Sequence, residues 1–148
     1  MLIRRFARAS RLACVCLVAL AVSSCGSDGA VDPDLPIVGH YVATDFRVVP
    51  VGGAVVDVLA RGGSIVLDIT SDNKTTGTLV VPANIFGVEL RQSLDGTVSR
   101  AGNNLTLKHT PATFLTQLIF GVYEKVLFVG AQAIDGGNAG VTITLTRQ

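Results

Sequence analysis

Few side chains in this 148-residue chain are equipped for chemistry. They are three cysteines (Cys14, Cys16 and Cys25), two histidines (His40 and His109) and a scatter of hydroxyls and carboxylates. A metal centre needs several ligands converging on one point. His40 and His109 lie far apart in sequence, and nothing in the pattern brings them together. Asp28, Asp32 and Asp34 lack the glycine-turned loop and closing glutamate of a calcium site. A nucleophile needs a neighbouring base, yet no Gly-x-Ser-x-Gly occurs. Ser64 follows Gly63 but runs into Ile65 and Val66, and Ser93 and Ser99 read as strand-face residues. Asp45, Asp57, Asp68 and Glu89 supply carboxylates, with nothing to select a pair. The glycine clusters read as turns, because none leads into a helix carrying a lysine, as a phosphate cradle would. Asn104-Leu105-Thr106 matches a glycosylation sequon by pattern alone. The expectation is a protein that is not an enzyme and uses no cofactor or metal.

Cys25 is different because of what precedes it. Arg4, Arg5, Arg8 and Arg11 open the chain with no acid before Asp28, an apolar run covers Leu12 to Val22, and Ser23 and Ser24 follow. That is the basic, apolar, small-residue order of a secretory signal peptide. The apolar run falls short of the ~20 residues a membrane-spanning helix needs. Val22-Ser23-Ser24-Cys25 resembles the bacterial lipobox, in which small residues let the peptidase grip an extended backbone while the thiol faces the membrane. The resemblance implies a lipoprotein: a thioether-linked lipid on Cys25, cleavage before it, and a fatty acyl chain such as palmitate on the new amino group. Several acyl chains make a stable membrane anchor. Gly26, in place of a retaining aspartate, implies the outer membrane of the cell envelope. Arg4-Arg5 lacks the surroundings of a twin-arginine signal.

Residues 1–24 are thus expected to be removed, taking Cys14 and Cys16 with them. The mature chain keeps one cysteine, which rules out a disulfide framework. Four of the 12 basic residues also leave, against none of the 11 acidic ones, so the remaining net charge is −3. No basic footprint for nucleic acid exists. The absence of tryptophan and the low aromatic content argue against a carbohydrate platform.

Residues 25–36, "CGSDGAVDPDLP", form a polar tether rich in Gly, Pro and Asp. Residues 37–148 carry β signals. Ile65, Leu67 and Ile69 alternate with Ser64, Asp68 and Thr70. Leu105 and Leu107 alternate with Thr106 and Lys108, and Val141, Ile143 and Leu145 with Thr142, Thr144 and Thr146. Such alternation predicts half-buried antiparallel strands. Asp72-Asn73-Lys74, Ala101-Gly102-Asn103-Asn104 and Asp135-Gly136-Gly137-Asn138 predict turns, and Asp95-Gly96 a turn or bulge. "AVVDVLAR" reads as a helical cap or an irregular crossing. "PANIFGVELRQSL" and "TPATFLTQLIFG" fit either a strand or a helical turn, with the strand preferred for both. "VYEKVLFVGAQAI" reads as a strand with apolar residues on both faces. The total is eight to ten strands: an all-β antiparallel meander forming a small barrel, with a two-sheet β-sandwich as the alternative.

Gly39-His40-Tyr41 at the first strand and Thr146-Arg147 at the last resemble the lipocalin-like (calycin) barrels. Those open with Gly-x-Trp and lay a basic residue of the final strand across that ring. The resemblance runs loosely from Val38 to Arg147. It implies that Tyr41 and Arg147 form a structural pair, and that a hollow interior binds a small lipophilic ligand. Ile65, Leu67, Ile69, Leu105, Leu107, Val141, Ile143 and Leu145 either line that cavity or simply fill the core. The alternative function is a structural or interaction lipoprotein, docking on an envelope protein partner through the apolar strand Val122–Ile134.

Overall fold

The computed structural model describes residues 36–137 and 139–148. The signal peptide, Cys25, nearly all of the tether and Asn138 lie outside the described residues. Ten strands follow in order: β1 (Gly39–Pro50), β2 (Val56–Asp57), β3 (Ser64–Ile69), β4 (Lys74–Val81), β5 (Leu90–Ser93), β6 (Gly96–Ala101), β7 (Asn104–His109), β8 (Phe120–Tyr123), β9 (Val126–Ile134) and β10 (Ala139–Arg147). Each pairs antiparallel with its neighbours, and β10 returns to β1, so β1, β3, β4 and β6–β10 close an eight-stranded barrel. β2 lies on the upper part of β1, and β5 on the upper part of β4. The two-sheet sandwich is therefore not the fold; the closed meander is, an architecture compatible with a lipocalin-like barrel. Closure has a physical benefit, since it leaves no long sheet edge open to foreign pairing.

Alternation places one face of each strand inside. In β10, Ala139, Val141, Ile143 and Leu145 are all buried. Two strands change parity midway. In β1, Tyr41 is buried and so are Phe46 and Val48, an odd step apart, because the pairing with β10 slips between Ala43 and Asp45. In β9, Leu127 and Val129 point inward and so does Ile134, again across a slip opposite β10. A bulge inserts one unpaired residue, bends the strand, and returns its later apolar residues to the core. Gly77 serves the same curvature: any Cβ there would strike the Val66 carbonyl.

Several sequence expectations need correction. "TPATFLTQLIFG" is not a strand throughout. Phe114–Gln117 form a 3-10 turn, capped by the Thr113 hydroxyl, which accepts from the Leu115 N–H at 3.2 Å. The helical spacing of Phe114, Leu115 and Leu118 was the stronger signal. "PANIFGVELRQSL" divides into a helical turn at Ala83–Phe86 and then β5. "AVVDVLAR" does hold a helical turn, a 3-10 turn at Leu59–Arg61, and adds the two-residue strand β2 that its reading lacked. Most consequential, "VYEKVLFVGAQAI" is not one strand. The chain reverses at Glu124-Lys125, where Glu124 adopts a φ of 48°, and Tyr123 pairs with Val126. Its two-sided apolar pattern arises because parity restarts across the turn: Phe120 and Val122 face inward from β8, Leu127 and Val129 from β9.

Candidate functional site

The barrel interior is the first place to look. All eight residues with candidate roles as lining or core (Ile65, Leu67, Ile69, Leu105, Leu107, Val141, Ile143 and Leu145) point inward and are at most 4% exposed. They share one cluster with Tyr41, Phe46, Leu79, Phe120 and Leu127. Side chains around a hollow would leave area that water could reach inside the barrel; these leave almost none. At the upper end, Leu115 and Leu118 are wholly buried and the Phe114 ring lies 6.1 Å from that of Phe46. This plug was missed as such, although Thr113 before a helically spaced apolar run is a recognisable start signal.

The lower end is held differently. Tyr41 and Arg147 are direct partners in the β1–β10 ladder. The Tyr41 hydroxyl donates to the Ile37 carbonyl at 2.9 Å. Arg147 Nη1 donates to the carbonyls of Pro36 at 2.8 Å and Val38 at 3.3 Å. The incoming chain is thereby clasped to the rim of the barrel. Gly39 is required beneath the clasp, because a Cβ there would meet Arg147 Cδ at 2.5 Å and its φ is 153°. Burial pushes the Tyr41 phenol above its ordinary range, while the nearby Arg147 guanidinium, and more weakly Arg100, oppose the rise.

The two histidines stay apart. On the outer face near the lower end, His40 Nδ1 lies 2.7 Å from Asp68 Oδ1, with both side chains well exposed. A carboxylate thus stands beside His40 in the open. His109 ends β7 at the upper end, buried, with Nε2 2.8 Å from the Thr113 hydroxyl. Desolvation lowers its pKa below the ordinary histidine value, favouring the neutral ring. Among the described residues no group of three or more His, Cys, Asp or Glu side chains is placed to hold a metal, and no helix is long and apolar enough to cross a membrane.

Exposed apolar side chains stand at both ends of the barrel: Val51, Val55 and Val88 toward the upper end, and the outer face of the β8–β9 hairpin toward the lower. Tyr123 is 66% exposed and Phe128 47%, with Val126 half-buried between them. Higher up, where β8 ends and β9 continues, the Gln132 amide takes the place of a missing strand. Its Nε2 donates to the Ile119 carbonyl at 2.7 Å and its Oε1 accepts from the Ile119 N–H at 3.1 Å. In comparisons with known proteins, the chain matches no family model, no curated protein and no solved structure.

Proposed function

We propose that this protein is a lipid-anchored, non-enzymatic barrel of the cell envelope that acts through its outer surface, without carrying a ligand inside. The observation that carries this reading is the filling of the interior: the inward residues of the closed barrel are packed against one another and buried. A barrel of about eight strands either fills with its own side chains or holds one small ligand. Here the side chains take up the space, so the outer surface is what other envelope components meet. The anchor half of the reading rests on the lipobox-like Val22-Ser23-Ser24-Cys25 and the basic and apolar run before it, and the outer-membrane half on Gly26 in place of a retaining aspartate.

Native mass spectrometry of the detergent-purified, full mature chain, with solvent extraction, tests this. The expected mass is the chain plus the lipid on Cys25 alone, and Cys25→Ala is expected to abolish lipid labelling. A second, non-covalent lipophilic mass that survives in Cys25→Ala would overturn the packed-interior reading in favour of a ligand carrier. Lipid labelling that persists in Cys25→Ala would overturn the anchor.

A further inference from the structure

We infer that the tip of the β8–β9 hairpin, with Val38 beside it, rests on the lipid surface to which the chain is tethered. The inference deepens the proposed function and rests on its lipid anchor. It begins with where the chain enters the barrel. Arg147 holds the carbonyls of Pro36 and Val38, so the entry point is fixed on the lower rim. The hairpin tip is on that same rim: the Arg147 N–H donates to the Lys125 carbonyl at 2.7 Å, and Thr146 pairs with Val126.

Cys25 precedes Pro36 by 11 residues, a stretch that spans at most about 40 Å fully extended. A lipid on Cys25 therefore keeps this rim within about 40 Å of the bilayer, and the short tether presents the membrane at high effective concentration. Weak contacts then suffice.

The exposed groups suit a lipid interface. Tyr123 and Val126 are opposed across the hairpin and Gly121 is opposed to Phe128, so all four lie on one face. Val38 is 45% exposed, on the same rim. Two residues of strand carry Phe128 about 7 Å along β9 from Val126, about 5 Å in height once the tilt of barrel strands is counted, comparable to the ~5–10 Å depth at which apolar faces settle into the headgroup boundary. Tyrosine, an apolar ring with a polar tip, favours that boundary. Glu124 and Lys125 cancel in charge at the turn itself, so the apolar side chains beside them lead the docking. A stable protein partner would need on the order of 800 Å² from each side, far more than these few side chains offer.

The chain contains no tryptophan, so one introduced residue reports alone. Lipid-anchored full-length Tyr123→Trp is placed in phosphatidylethanolamine vesicles with a minority of phosphatidylglycerol, with plain or brominated acyl chains. Val88→Trp, replacing an exposed residue next to β5 toward the other end, is the reference. Bromolipid is expected to quench Tyr123→Trp about twofold or more, as interfacial residues lie within its reach, and to leave Val88→Trp nearly unchanged. Equal, weak quenching of both overturns the inference. A Tyr123→Trp signal shielded from aqueous acrylamide but not quenched by bromolipid also overturns it, and reports a protein on the hairpin. Flotation of the same samples reads the anchor separately. Protein that floats without quenching removes only the docking, whereas protein that fails to float removes the anchor and the docking with it.

Discussion

The two ends of the barrel are closed by opposite kinds of force. The lower end is closed by polar groups: one phenol and one guanidinium grip three successive backbone carbonyls, those of Pro36, Ile37 and Val38. The upper end is closed by apolar bulk from Leu115, Leu118 and Phe114, steadied by a few polar contacts gathered at Thr113, from His109, Leu115 and Thr116. A polar clasp fixes direction, because hydrogen bonds have geometry. An apolar plug fixes only volume and packing. The end that must set where the tether leaves is therefore built from directional bonds.

The contrast can be broken from either side. The largest expected effect is at the plug. Leu115→Ala should cost about 2–5 kcal/mol, as is usual for a fully buried leucine, read as a lower urea midpoint with unchanged slope. Next comes the clasp. Arg147→Ala should cost about 1–3 kcal/mol, the scale of hydrogen bonds to a charged group. Amide exchange of this variant should quicken at residues 37–40 while the upper end keeps its protection, and Arg147→Lys should keep only part of the clasp, because lysine lacks the planar fork.

The pH dependence separates the ends further. His109 is depressed below its ordinary value of 6.5, so below that pH the unfolded chain binds a proton that the folded one refuses. Stability is then complete above about pH 6.5 and falls as pH drops toward the folded value. A His109→Gln variant should flatten that slope in thermal melts between neutral and acid pH. Tyr41 runs the other way. Its phenol is raised above 10.0, so as pH climbs past that value the unfolded chain gives up its proton first and stability declines; Tyr41→Phe should remove this alkaline loss. The smallest effect belongs to the exposed His40–Asp68 pair. His40→Gln should change neutral-pH stability by no more than about 0.5 kcal/mol, as surface substitutions usually do.

Much of the fold was legible along the chain. Val141, Ile143 and Leu145 alternate with three threonines, and β10 keeps that parity from end to end. The turns at Asn73 and Gly102 carried their own chemistry, and both residues adopt the positive φ that their types tolerate. The hairpin turn at Glu124-Lys125 was hidden, because neither residue is a usual turn former and the apolar residues on both sides ran together. The parity changes in β1 and β9 were hidden too, since a bulge is a response to curvature and to a partner strand.

The sequence alone determined the all-β antiparallel class, the strand faces of β3, β7 and β10, the net charge, and the resemblance around Cys25, because these depend on residue type and short-range period. Only the tertiary structure decided that the sheet closes on itself, that eight alternating apolar residues meet as packed core, and that Arg147 clasps the carbonyls of Pro36 and Val38. Those outcomes depend on distances between residues a hundred positions apart, which no local pattern encodes. The same holds for the hairpin face: only once Tyr123, Val126 and Phe128 stand on one side of paired strands do three scattered apolar residues become a surface.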